Sequence, residues 1–238
     1  MDINRRNFLV KSGAAVVAGA AMAALPASSV AQAAAVAAAA SPLMVKAKPL
    51  PFDPQKIKGI SEKLLISHHG NNYTGAVNRL NTIREQLLEL NWDTAPGYII
   101  NGLKREEMIA VNSTHYHEMY FAGLGGDGPP AGQLAARISK HFGSYEAWRR
   151  QFVATGKALA GGSGWVTLSY DTRDGTLFNT WSADHAMGFV GGRPILVMDM
   201  YEHAYHMDYG AKAADYVTAY MNNINWKNAE TLLAEITV

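Results

Sequence analysis

The chain has 238 residues, a formal net charge of +1 and 48% hydrophobic residues. A balance so near neutral does not suggest the basic surface of a nucleic-acid-binding protein. The absence of cysteine excludes disulfides and thiolate metal sites, so stability has to come from a buried core.

Residues 2–11 are charged and polar, with Arg5, Arg6 and Lys11 against Asp2, and residues 13–40 run almost wholly to Ala, Val, Gly and Leu. A charged start, an apolar middle and an Ala-x-Ala end describe an export signal over residues 1–33, with Ala31-Gln32-Ala33 as cleavage site. Arg5-Arg6 followed by Phe8-Leu9 resembles the twin-arginine type, which implies export to the periplasm. The apolar stretch from Ser12 to Leu25 is too short to span a bilayer, so no membrane span is expected after cleavage. Losing the signal removes three basic residues and one acidic, which leaves the mature chain near −1. Residues 34–48 are Ala-rich without amphipathic pattern and are expected to be a disordered leader.

From Ser61 the pattern turns helical. Ser61 with Glu62 behind it reads as an N-cap and first turn. Leu64, Leu65, His68, Ala76, Leu80, Ile83 and Leu87 recur at near-helical spacing, and Gly70 and Gly75 are expected to kink this helix or admit a close neighbour. Asn91 to Asn101 reads as a connection broken by Pro96-Gly97, with a second long helix over about Lys104–Phe121. A Gly- and Pro-rich loop follows, then helices over about Ala131–Phe142 and Ser144–Leu159. Val166–Tyr170 and Thr176–Trp181 read as a hairpin around Asp171 to Gly175, and Arg193–Met198 as a third strand. Two helices close the chain, about Ala213–Met221 and Trp226–Ile236. The expected class is α+β: a helical-hairpin domain over 49–128, then a domain over 129–238 with a three-stranded antiparallel sheet flanked by helices.

The end of the third strand carries the chemistry. Asp199 and His203 stand four residues apart just past an apolar run, and the long helices carry His68-His69 and His115/His117. Neighbours one or two apart on a helix do not share a face, so at most one of each pair points at a given site. Three histidines and one carboxylate form a mixed N/O set that suits Fe or Mn and also takes Zn.

Asp199-x-x-Glu202-His203-Ala204-Tyr205, with Asp208-Tyr209 after it, resembles the signature of the iron/manganese superoxide dismutases. Leu50-Pro51-Phe52, His68-His69-Gly70, His117-x-x-Tyr120-Phe121, Gly162-Ser163-Gly164-Trp165 and Asn225-Trp226 resemble further motifs of that family, in order. The resemblance implies His68, His117, Asp199 and His203 as ligands of one Fe or Mn ion, with a solvent molecule as fifth ligand. It implies superoxide as substrate, turned into O2 and H2O2 by alternating reduction and oxidation of the metal. It implies a homodimer or tetramer in which Glu202 reaches His203 of the partner subunit.

The chain departs from the family around the site. The tyrosine expected at the mouth of the substrate funnel is Ala76, and the histidine expected four residues after the first ligand is Asn72. The partner of that histidine falls at His206, so Asn72 and His206 are expected to form a replacement bond across the dimer. The glutamine expected on the second helix is Ser113, and His185 is the candidate donor to the solvent ligand. His115 and Tyr201 are expected to line the pocket, with Trp165 and Trp181 as packing. The funnel arginine falls at Ala213 beside Lys212, which implies weaker steering of the anion. These changes leave a second reading open: a catalytically weak, metal-binding or interaction protein of the cell envelope.

Overall fold

The computed structural model describes residues 44–237. The expected export signal and the leader up to residue 43 lie outside them. Among the described residues no helix is long and apolar enough to cross a membrane.

Residues 44–48 do not behave as a leader. The Asn81 side chain pairs with both backbone groups of Val45, accepting from its N–H at 2.9 Å and donating to its C=O at 2.8 Å. Lys48 N–H donates to the Tyr73 hydroxyl at 2.8 Å, and the Lys48 ammonium meets Glu118 at 2.5 Å. The expectation of disorder follows composition, but an extended segment needs no amphipathic pattern when side chains supply its hydrogen bonds.

Helix α1 (Glu62–Ser67) is capped as expected, Ser61 Oγ accepting from Leu64 N–H at 3.1 Å. The long helix then opens into a π-helical turn over His68–Tyr73 before α2 (Thr74–Glu89). The kink therefore falls on the first ligand candidate, as such turns often do at functional sites. A Cβ built on Gly70 or Gly75 meets nothing within 4 Å, so neither glycine serves a close approach.

Helix α3 (Gly97–Ala122) starts seven residues before the expected Lys104. Pro96 lies at its N-cap, and its carbonyl accepts from Ile99 and Ile100, so Pro96-Gly97 opens the helix where a break is expected. Helices α4 (Gly132–Phe142) and α5 (Tyr145–Ala158) follow, the latter capped by Ser144 at 3.0 Å.

Strands β1 (Trp165–Asp171), β2 (Leu177–Ser182) and β3 (Gly192–Asp199) form an antiparallel sheet in the order β2-β1-β3. Pro194 sits on the edge strand opposite Ser169, where the register shifts by a bulge. Gly164, at φ +140°, lets β1 start against Ser182, whose carbonyl oxygen lies 2.1 Å from where a Cβ would stand. After β3 come a 3-10 turn (Glu202–Ala204), the short α6 (His206–Tyr209), α7 (Ala213–Met221) and α8 (Trp226–Ile236).

Leu64, Leu65, Tyr120 and Phe121 from the helices join Trp165, Leu168, Val197, Tyr216 and Val217 in one buried core. The two expected halves thus share their main core. A second, smaller cluster of Leu80, Ile83, Leu87 and Ala110 holds the outer part of the α2–α3 hairpin together.

Candidate metal centre

Four elements meet at one point of this core. His68 comes from the π turn, His117 from α3, Asp199 from the end of β3 and His203 from the 3-10 turn. One ligand atom from each lies within 4.8 Å of all the others. Oδ2 of Asp199 stands 3.1 Å from Nε2 of both His68 and His203 and 3.7 Å from Nε2 of His117. Asp199, His68 and His117 are buried and His203 is partly exposed.

Neighbouring groups orient His117 and Asp199. The Ser113 carbonyl lies 2.7 Å from Nδ1 of His117 and the Ser113 hydroxyl 3.3 Å, so the carbonyl takes the Nδ1 proton. Nε2 of His117 is then a bare lone pair, buried and without a hydrogen-bond partner. Nδ1 of His68 is likewise buried and unpartnered. The second carboxylate oxygen of Asp199 accepts from Tyr201 N–H at 2.8 Å, and the Asp199 carbonyl accepts from the Tyr216 hydroxyl at 2.7 Å.

Burial, opposed by Asp199, holds His117 down at about 3 and also lowers His68. Burial alone would raise Asp199, but the charge and hydrogen bonds of His203 and His68 take it well below the usual carboxylate range. At neutral pH an anionic Asp199 carboxylate faces unprotonated His68 and His117 imidazoles. A buried acceptor aimed at a carboxylate is unfavourable unless a cation lies between them. The donor set therefore fits a metal ion, and its N/O composition fits Fe or Mn.

The surrounding residues divide differently from the sequence expectation. Trp165 is fully buried, and its indole N–H donates to Nδ1 of His185 at 3.0 Å. His185 stacks on Tyr201 at 4.6 Å, and Tyr201 on His203 at 5.3 Å, a column of three rings ending on a member of the cluster. Burial lowers His185, and burial with the charges of Asp199 and Asp184 pushes the Tyr201 hydroxyl up to about 12.

Asn72, Ala76, Ser113 and His185 line a cavity of about 270 Å³ that reaches His117 and His203. Glu202 and His206 lie exposed at the surface.

Two expectations fail here. His115 does not line the site: it is exposed and borders a separate groove beside the sheet, because two residues along α3 turn it away from the face of His117. Its neighbour Tyr116 approaches instead, stacking on Trp165 at 5.0 Å. Trp181 is half exposed rather than packing, since its β2 position faces solvent. Sequence reasoning also misses Arg79, which borders the cavity, Asn112, which donates to the His185 carbonyl at 2.7 Å, and Tyr216. Arg79 had a signal: it follows Asn72 and Ala76 at helical spacing on one face.

Residues 130–232 match the family model described as "Iron/manganese superoxide dismutases, C-terminal domain". The chain is 55% identical over 192 residues to "Superoxide dismutase [Fe]" of Cupriavidus metallidurans, covering 81% of this chain and 98% of that protein. It is 34% identical over 193 residues to "Superoxide dismutase [Fe]" of Saccharolobus solfataricus, covering 78% and 91%. It is 36% identical over 183 residues to "Superoxide dismutase [Mn] 1" of Halobacterium salinarum, covering 75% and 89%. A carboxylate and three histidines in one buried cluster, on a helical hairpin and a three-stranded sheet, agree with these likenesses: the chain belongs to the iron/manganese superoxide dismutase family.

Proposed function

We propose that this superoxide dismutase holds one Fe or Mn ion through His68, His117, Asp199 and His203. The observation that carries the assignment is the bare, buried Nε2 of His117, 3.7 Å from the Asp199 carboxylate and aimed with it into the cluster. When bound, the ion supplies the one-electron exchange that turns superoxide into O2 and H2O2. Ser113 holds the His117 ring in its ligating tautomer, and Tyr201 N–H holds the Asp199 carboxylate. Trp165 occupies Nδ1 of His185, which keeps the His185 proton on Nε2. Nε2–H is the hydrogen-bond donor we assign to the solvent molecule that would complete the metal's coordination. Metal analysis of the purified protein together with superoxide consumption tests the reading. One Fe or Mn per chain with consumption is expected. Stoichiometric metal without consumption would favour the weak, metal-binding alternative, and a His117→Ala variant with full metal content would contradict the ligand set.

Residues 1–33 are assigned to export to the periplasm by a twin-arginine route. The support is Arg5-Arg6 ahead of Phe8-Leu9 and an apolar stretch too short to span a bilayer. Replacing both arginines by lysine should leave the unprocessed chain in the cytoplasm, and undiminished export would sink the assignment.

The working unit is assigned as a homodimer. Glu202 is exposed beside His203, whose side chain keeps 25% of its surface open, as a pair completed by another subunit would. In that dimer Asn72 bonds His206 of the partner subunit. A dimer structure with these side chains more than about 4 Å apart and no water between them would overturn that bond.

A further inference from the structure

The cavity that reaches the cluster is open where the family carries a tyrosine. Ala76 presents only a methyl group there, and Asn72 of the π turn forms one wall with Ala76 and Arg79 of α2. Ile109, Ala110, Ser113 and His117 of α3 form another. Among the described residues that line this cavity, Arg79 is the one with a permanent charge, and none is acidic.

The Arg79 guanidinium pairs with Glu106 of α3, yet this does not neutralise the rim. Arg105 also contacts the Glu106 carboxylate, at 3.2 Å, so two guanidinium groups share one carboxylate. The Arg79 side chain keeps 55% of its surface open. The position where sequence reasoning places the family's steering cation is Ala213, which is buried in the core, and Lys212 does not line the cavity.

We propose that Arg79 is the residue that draws the superoxide anion into this cavity, a steering role transferred from the Ala213 position to α2. The inference rests on a metal at the His68/His117/Asp199/His203 cluster. A cation at a cavity mouth raises the arrival rate of an anion, and added salt screens the effect.

The test uses metal-loaded protein and two variants that break the same ion pair with opposite effects on charge. Arg79→Gln removes the cation, and Glu106→Gln removes the carboxylate that offsets it. Two quantities are read across ionic strength: kcat/KM for superoxide, and azide affinity from the optical spectrum of the oxidised metal. At low ionic strength Arg79→Gln should lower kcat/KM and azide affinity about threefold or more, Glu106→Gln should raise both, and Arg79→Lys should keep most of the parental values. The differences should close at about 1 M salt, where the Debye length is about 3 Å. Parental values in Arg79→Gln, or losses of the same sign in both Gln variants, would overturn the assignment and leave the pair a structural tie between α2 and α3. A parent that carries its metal but shows no azide-dependent spectrum would instead strike at the metal centre itself, and with it at this role.

Discussion

The indole N–H of Trp165 donates to Nδ1 of His185 at 3.0 Å, which fixes the tautomer of a histidine that borders the cavity beside His117 and His203. A neutral imidazole with Nδ1 occupied as acceptor carries its proton on Nε2. Trp165→Phe removes this constraint while keeping an aromatic ring in the core. Metal content should stay at the parental level and kcat/KM should fall about tenfold, within the range usual for groups that orient a metal site. His185→Ala should cost at least as much, while His185→Gln, which keeps an N–H donor, should recover part of the loss. A His185→Ala enzyme with parental kcat/KM across pH 6–9 would remove His185 from the mechanism.

The metal-free protein should lose stability in acid. His117 has a folded-state value of about 3, below its ordinary 6.5, because burial disfavours its charge. Between those values the unfolded chain binds a proton that the folded chain refuses. Stability is therefore present above about pH 6.5 and is lost as pH falls toward 3. Asp199, also lowered, adds loss of the same sign below about pH 4. Thermal melts in chelator at pH 7, 5.5 and 4.5 should show a falling midpoint, and a flat profile over that range would contradict the buried neutral state of His117.

Tyr216 ties α7 to the strand end that carries Asp199. Its fully buried hydroxyl donates to the Asp199 carbonyl at 2.7 Å and lies 3.4 Å from the Tyr120 hydroxyl. Tyr216→Phe leaves that carbonyl without this donor and should cost about 1–2 kcal/mol. For a chain of this size the melting midpoint should drop by roughly 3–6 °C. Metal content should be unchanged, and a variant that melts with the parent would show that the hydroxyl contributes nothing net.

The Val45 backbone is held by the Asn81 side chain. Asn81→Ala removes both hydrogen bonds to Val45 and should free residues 44–48 from α2. Limited proteolysis should then cut near Lys46 and Lys48 faster than in the parent, with superoxide consumption nearly unchanged. Equal cleavage rates would mean that the Lys48 contacts to Tyr73 and Glu118 suffice.

The helices, the three strands and the Asp199/His203 pair were legible because each rests on a strong local pattern, whereas the choice of His68 and His117 came from the family resemblance. Apolar spacing marks α2, a Gly-containing turn marks the β1–β2 hairpin, and Asp199 to His203 follows a buried strand. What was not legible depends on helix phase and on neighbours distant in sequence. The π turn over His68–Tyr73 leaves no trace in composition, yet it sets which way His68 points. The phase of α3 decides between His115 and His117, and their spacing says only that the two differ. Pro96 is as compatible with opening a helix as with ending one, and the carbonyl bonds that decide it belong to the folded backbone. Arg79 looks like an ordinary surface charge until the wall it shares with Asn72 and Ala76 is seen to face a cavity.

The hydrogen bond between His68 and Asp199 joins positions 131 residues apart, and His117 enters from between them. No fragment ending before residue 203 contains all four donors. A ribosome must have released most of the sheet before any ion has somewhere to sit, so loading is a late event in the life of each molecule.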